Sequence, residues 1–260
     1  MTTAVAAVEP WGAYAAGSRI AHFEWWCREH CRHIAGPFAG KPLDLEPWQR
    51  EFFAEGMAVD EDELPYWSTV VEIVPRKNGK TTAVGAIGGY GAAEEDDLPN
   101  VGLAATSDDQ ASELFDAIAG FIHGSPYLDQ LFHVRDYDGE IARVDAGAYI
   151  RRMRMDWRRL HGKNLSTLIA DEIHAWTTPN LHRCWEALTT GDGARPSFQA
   201  WCITTEGELD DGGNSILDAL VTDNESYGDV ERRPGLTISR NHEARVLIYR
   251  FHAEMPAADP

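Results

Sequence analysis

The sequence is short of thiols, of cations and of uninterrupted apolar stretches. Its four cysteines (Cys27, Cys31, Cys184, Cys202) are too few for a scaffold stapled by disulfides and suit a reduced, intracellular thiol set. Lys and Arg number 23 against 42 Asp and Glu, a formal net charge of −19. That balance excludes a general coat of affinity for phosphate backbones. No apolar run approaches the roughly 18 residues that a bilayer-spanning helix needs. The opening MTTAVAAVEPWG has neither a basic n-region nor a long apolar h-region, so no secretory signal is expected. Internal repeats and low-complexity tracts are also lacking. What is present is ordinary for a globular chain. Hydrophobic residues make up 43% and charged residues 25%, which excludes disorder as the main state. The length of 260 residues suits one large domain or two small ones.

Charge is unevenly placed. Acids crowd 44–63 (Asp44, Glu46, Glu51, Glu55, Asp60, Glu61, Asp62, Glu63), and bases crowd 143–163 (Arg143, Arg151, Arg152, Arg154, Arg158, Arg159, Lys163). The basic cluster is the only stretch able to face DNA, although a solvated or ion-paired face is the simpler expectation.

Periodicity predicts an amphipathic helix over 18–34, ended by Gly36-Pro37, and a second over 47–57 with Pro47 in its first turn. Buried strands are expected at 68–74, 101–105, 166–170, 198–203 and 245–252, with weaker ones at 141–144 and 148–153. The Gly- and Ala-rich segment 80–93 reads as a helix packed closely on a sheet. Thr106, Ser107, Asp108 and Asp109 offer N-cap chemistry for a helix over about 109–122. Pro179 opens another helix to about 189, and 208–235 reads as loop-rich. Strands alternating with helices predict an α/β fold with a mostly parallel central sheet flanked by helices. In such sheets ligands sit outside the carboxyl ends of the strands, and three polar motifs fall there: 75–81, 171–172 and 204–207.

The first is Pro75-Arg76-Lys77-Asn78-Gly79-Lys80-Thr81, followed by Thr82. A Gly-Lys-Thr core after a strand and before a helix is the arrangement of a phosphate loop. Backbone N–H groups and the helix N-terminus cradle phosphate, the lysine reaches β/γ oxygens, and the threonine hydroxyl ligates Mg²⁺. The general pattern places a glycine where this chain has Val74. The second motif, Leu168-Ile169-Ala170-Asp171-Glu172, is an apolar strand ending in two acids, the Walker B pattern. The Asp holds the Mg²⁺ shell and the Glu polarises the attacking water. The third, Thr204-Thr205-Glu206-Gly207, offers hydroxyls able to sense the γ-phosphate; simple turn chemistry is its alternative.

Taken in order, these stretches resemble the ATPase domain of the large terminase subunit of tailed bacteriophages, the motor that packages DNA into the procapsid. Leu45-Glu46-Pro47-Trp48-Gln49 resembles that family's adenine-contacting Q motif. Val74 to Thr81 resembles its deviant Walker A, which also lacks the first glycine and carries an early arginine. Ala104 to Ala111, Leu168 to His174 and Ile203 to Gly207 resemble its following strand-to-helix segment, its Walker B and its coupling motif. The resemblance implies a RecA-like P-loop NTPase core over 43–207, a helical N-terminal cover over 1–42 and a small C-terminal lid or linker subdomain over 208–260. It implies ATP and Mg²⁺ as ligands and a Mg²⁺-dependent ATPase. Trp48, Gln49 and Pro75 to Thr82 (Pro75, Arg76, Lys77, Asn78, Gly79, Lys80, Thr81, Thr82) would bind ATP. Thr81 and Asp171 would hold Mg²⁺, while Glu172, Arg76 and Lys80 would be catalytic. Thr204, Thr205 and Gly207 would couple hydrolysis to movement. Such motors work as homo-oligomeric rings in which an arginine acts on a neighbour's site; Arg158 and Arg159 are candidates. The implied partners are double-stranded DNA, the portal protein and the small terminase subunit, in the host cytoplasm, with no membrane. Large terminases usually carry a second, nuclease domain. About 55 residues follow the coupling motif, too few for one, so no DNA cleavage is expected from these 260 residues.

Other readings are open. Asp171-Glu172-Ile173-His174 spells a DExH box, but a helicase of that type needs a second RecA-like domain. A regulatory module that holds nucleotide without hydrolysis would not need Glu172. Cys27, His30 and Cys31 share a helix face with His33 and His22 nearby, yet a fourth zinc ligand is poorly placed, and a packed face with ordinary thiols is expected. His174 and Trp176 are expected to pack behind Walker B.

Overall fold

The computed structural model describes residues 19–34, 36–75, 78–94, 98–144, 147–190, 195–206 and 214–252. In chain order the elements are α1 (Arg19–His30), α2 (Pro47–Gly56), β1 (Thr69–Ile73), α3 (Lys80–Glu94), β2 (Asn100–Ala104), α4 (Asp108–Gly124), α5 (Pro126–Leu131), β3 (Phe132–Arg135), β4 (Glu140–Arg143), β5 (Tyr149–Arg152), β6 (Thr167–Asp171), α6 (Pro179–Thr189), β7 (Gln199–Thr204), α7 (Ile216–Tyr227), β8 (Asp229–Arg233), β9 (Leu236–Asn241) and β10 (Val246–Phe251). The strands join in one sheet, ordered β3-β4-β5-β2-β6-β7-β1-β10-β9-β8. From β5 to β10 neighbours run parallel. The β3–β4–β5 and β10–β9–β8 margins are antiparallel.

β1, β6 and β7 are buried at every position, as parallel strands covered on both faces must be. Alternation sorts their side chains. Val70, Ile169, Trp201 and Ile203 meet the layer that contains α1 to α4. Val71, Leu168, Ala170, Ala200 and Cys202 meet Trp176 and the apolar faces of α6 and α7. The result is a three-layer α/β/α sandwich. α3 lies close to its neighbours because it is built from small residues: a Cβ on Gly88 would come within 3.3 Å of Ile118 and 3.5 Å of Ile169. α4 begins as its sequence predicts, with Ser107 Oγ accepting the Gln110 N–H at 3.2 Å and two acids in the first turn.

α1 packs on α2, α3 and α4. Two buried histidines anchor it, His22 Nδ1 lying 2.9 Å from Tyr90 Oη and His30 Nδ1 2.9 Å from Ser125 Oγ. At the other end the structure differs from the expected loop-rich stretch. α7 is capped by Ser215, whose Oγ accepts the Asp218 N–H at 3.0 Å, and β8 follows it. The strands after residue 208 do not stand apart from the 43–207 core. β10 pairs parallel with β1 from Thr69↔Val246 to Ile73↔Arg250. Its run VLIYRF is buried at five of six positions, so the core sheet continues through it.

Candidate nucleotide site

The strand order places β6, β7 and β1 side by side, with their carboxyl ends on one edge. Asp171 pairs with Ile203 and Ile73 with Thr204. Beyond the ladders, Glu172 N–H donates to Ile203 O at 2.8 Å and Val74 N–H to Thr204 O at 3.0 Å. Three segments far apart in sequence thus converge within two strand spacings, about 10 Å, where ligands bind in open α/β sheets.

After β1, Pro75 is half-buried and Arg76 and Lys77 lie outside the described residues. Asn78 Nδ2 donates to Pro75 O at 2.9 Å, closing the loop on itself. Gly79 has φ +71°, a conformation L side chains rarely adopt, and nothing lies within 4 Å of where its Cβ would stand. Open space therefore faces the loop backbone at this point. Gly79 O accepts the Ala83 N–H at 3.1 Å, Lys80 opens α3, and Thr81 and Thr82 are half-buried in its first turn. That turn holds no acid, so the positive end of the helix dipole is left for an anion.

After β6, Asp171 is buried and its carbonyl accepts the Trp176 indole N–H at 3.1 Å. Glu172 stands in the left-handed region at φ 51°, ψ 47°, where a non-glycine residue is strained and where functional residues concentrate. Its Oε2 accepts the Thr205 N–H at 3.3 Å and lies 3.0 Å from His174 Nδ1. Thr204 is buried, and its Oγ1 is 2.8 Å from the same Nδ1. Gly207 lies outside the described residues. The Thr81 hydroxyl and Asp171 carboxylate are hard oxygen donors, the set that suits Mg²⁺ held jointly with phosphate and water.

Trp48 and Gln49, expected from the sequence on the adenine side, are positioned by a separate route. Trp48 packs edge-on against Phe251 at 4.8 Å between ring centres, and Phe251 ends β10, the neighbour of β1. Gln49 is buried, and its Oε1 accepts the Glu46 N–H at 2.9 Å, so it caps the start of α2. Charged contacts fix α2 to the C-terminal strands. Arg240 donates to Glu55 Oε2 at 2.9 Å and to Glu231 Oε2 at 3.0 Å. Tyr249 Oη donates to Glu55 at 2.6 Å, and burial together with that carboxylate raises its phenol pKa.

The basic cluster divides. Arg151 pairs with Glu140, Arg143 donates to Ala92 O at 3.3 Å, and Arg152 donates to Ser112 Oγ and covers Phe115. Arg158 and Arg159 are exposed on the short 3₁₀ turn Trp157–Arg159. Trp157 there meets Arg158 at 5.6 Å and Arg183 of α6 at 5.3 Å. The turn follows β5, which three strands separate from β1. Around α1, no three His, Cys, Asp or Glu side chains among the described residues converge on a metal-binding arrangement. Cys27 is buried, and its thiol pKa is pushed up by that burial. His174 was the residue whose role the sequence hid: its sequence signal was its place two residues after Glu172, but only the fold shows that it meets Thr204. No helix among the described residues is long and apolar enough to cross a membrane.

No protein-family model matches the sequence, and no curated protein matches it. Solved structures do. The HK97 bacteriophage large terminase aligns with a TM-score of 0.68 at 16% identity, over 93% of this chain and 45% of that one. The Thermus phage P74-26 large terminase ATPase domain gives 0.46 at 16% identity, over 62% and 70%. The Phi-28 gp11 DNA packaging motor gives 0.39 at 12%, over 74% and 59%. The chain thus spans less than half the length of the HK97 protein, and over nearly all of its own length it has the fold of that large terminase.

Proposed function

We propose that the chain is the ATP-hydrolysing motor region of a phage large terminase, driving double-stranded DNA into the procapsid. One observation carries this reading: the Gly79-Lys80-Thr81 loop, the Asp171-Glu172 pair and the Thr204-Thr205 segment stand on adjacent strands at one sheet edge. In this reading the loop from Pro75 to Thr82 wraps the phosphates, and Lys80 and Arg76 counter their charge. Trp48 and Gln49 bound the adenine. Thr81 and Asp171 hold Mg²⁺, which when bound supplies positive charge against the β- and γ-phosphate oxygens. Glu172 orients a water in line with the γ-phosphorus and accepts its proton. The protein contributes mainly position and electrostatics. Thr204, Thr205 and Gly207 pass the loss of the γ-phosphate to the rest of the motor. The working assembly is a ring on the portal, supplied by the small terminase subunit, in the host cytoplasm.

Calorimetry with Mg²⁺-ATP tests the site. The folded wild type binds in the micromolar-to-millimolar range, and Lys80→Ala abolishes binding. A folded wild type that does not bind overturns the reading. Glu172→Gln separates a motor from a passive nucleotide-binding module: the motor keeps nucleotide and loses turnover, whereas the module is unchanged.

A further inference from the structure

Behind the acids of the site, one imidazole stands between Glu172 and the coupling segment, in ion-pair contact with the first and hydrogen-bonded to the second. A carboxylate accepts hydrogen bonds and donates none. Glu172 Oε2 stands 3.0 Å from His174 Nδ1 in ion-pair contact, which is favourable when Nδ1 carries the proton, and the hydrogen bond of that nitrogen is the one to Thr204 Oγ1. The threonine hydroxyl beside it agrees. Thr204 Oγ1 donates to Thr205 O at 3.2 Å and accepts the backbone N–H of His174 at 3.3 Å. It lies 2.8 Å from Nδ1. With Nδ1 protonated, its single N–H serves Thr204 Oγ1 and the positive edge of the ring faces the Glu172 carboxylate. With the proton on Nε2 alone, a nitrogen lone pair would face the carboxylate.

The same carboxylate oxygen also takes the Thr205 N–H. Glu172 thus takes a hydrogen bond from the coupling segment and lies in ion-pair contact with a residue bonded to that segment. Its backbone is held as well: Glu172 O accepts the Ala175 N–H at 2.9 Å. The Glu172 and His174 side chains are each only 17% exposed, so water competes little for these bonds. Direction matters too. β7 lies between β6 and β1, so tying Glu172 to Thr204 and Thr205 draws the carboxylate from its own strand toward the phosphate loop.

We propose that His174 is the positioning residue of the hydrolytic glutamate: its ring, hydrogen-bonded to the Thr204 hydroxyl and in contact with the Glu172 carboxylate, holds base and coupling segment together so that they move as one unit. This rests on the ATPase reading above and adds how that site is regulated. A shift of Thr204-Thr205 reorients Glu172, and by reciprocity a substrate that draws Glu172 into line pulls on Thr204.

Two readouts test it. On nucleotide-free protein, imidazole ¹⁵N NMR reads the His174 proton, the signal being assigned by its loss in His174→Asn. The expected pattern is a protonated Nδ1 whose resonance moves in Glu172→Gln and in Thr204→Val. A neutral ring protonated only at Nε2, or a signal indifferent to both substitutions, overturns the proposal. Steady-state kinetics form the second readout. His174→Ala lowers kcat roughly 10- to 100-fold, the usual cost of losing an orienting partner, with KM changed less than about two-fold. His174→Asn, whose amide N–H occupies the Nδ1 position, restores kcat to within a few-fold. An unchanged kcat in His174→Ala, or an Asn variant as poor as Ala, assigns His174 to packing alone. A wild type that fails to bind Mg²⁺-ATP defeats the ATPase reading instead, while the NMR arm still decides the local network.

Discussion

Gly79 is the residue of the proposed phosphate loop whose backbone demand is plainest. Its φ of +71° is costly for any residue with a Cβ, by about 1–2 kcal/mol. Gly40 carries nearly the same angle, +80°, also with open space around it, but sits in the turn between α1 and α2. The pair separates folding from binding. Gly79→Ala and Gly40→Ala are each expected to lower the melting temperature by a few degrees. Only Gly79→Ala is expected to weaken Mg²⁺-ATP binding, by about ten-fold or more, because a loop that relaxes out of the left-handed region turns its N–H groups from the phosphate. Thermal melts and calorimetry on both variants check this, and equal affinities would remove Gly79 from the site. The candidates Gly79, Lys80, Thr81, Asp171 and Glu172 stand out in the sequence because they follow apolar runs, a position that a linear pattern exposes. His174 reads there as packing because no pattern in the chain says that residue 204 will stand beside residue 172.

Among elements, the parallel strands were the readable part: both faces are covered, so β1, β6, β7 and β10 appear as mostly apolar runs, interrupted by Glu72 in β1 and Arg250 in β10. β8 and β9 were not readable. DVERR and LTISRN lie at the sheet margin, where one strand is largely exposed and Arg233 and Arg240 pair with Glu51 and Glu55 of α2, so they carry no apolar signature. The same ion pairs support a prediction. Arg240 is 21% exposed in its side chain and serves Glu55 and Glu231 together. Arg240→Ala leaves those carboxylates without it, and a loss of about 1–3 kcal/mol is expected, between exposed and buried pairs. Because α2 carries Trp48 and Gln49, KM for ATP should rise while kcat holds. A kcat loss with unchanged KM would detach α2 from the adenine side. α1 offers a pH test. Burial lowers the pKa of both His22 and His30. The unfolded chain therefore binds more protons than the native one below about pH 6.5, and stability falls as pH falls through that range. Melting temperatures from pH 7.5 to 5.5 should drop more steeply in wild type than in His22→Gln/His30→Gln. Equal slopes would mean these rings do not govern the acid limb.

At the scale of the whole molecule, a charge of −19 sits uneasily with the proposed role of a motor that tracks DNA. The structure deepens the point, since Arg143, Arg151 and Arg152 are engaged within the fold, leaving Arg154, Arg158 and Arg159 as the exposed arginines of the basic cluster. Binding of DNA by the single chain should be weak and should fall steeply with salt. An exposed arginine pair on the β5 side of the sheet, three strands from the phosphate loop, is better placed to meet a neighbour than its own site. In a head-to-tail ring each subunit would then lend its arginines to the next. Mixing decides this. Arg158→Ala/Arg159→Ala is expected to bind Mg²⁺-ATP like wild type yet turn it over poorly, and Glu172→Gln is expected to do the same for a different reason. Combined one to one, an arginine-less subunit with an intact Glu172 can receive arginines from a Glu172→Gln neighbour. Random placement around a head-to-tail ring makes about a quarter of the sites complete, so about that share of wild-type turnover should return. If the mixture stays as inactive as its parts, or if the arginine variant alone hydrolyses normally, the arginine that completes the site lies elsewhere.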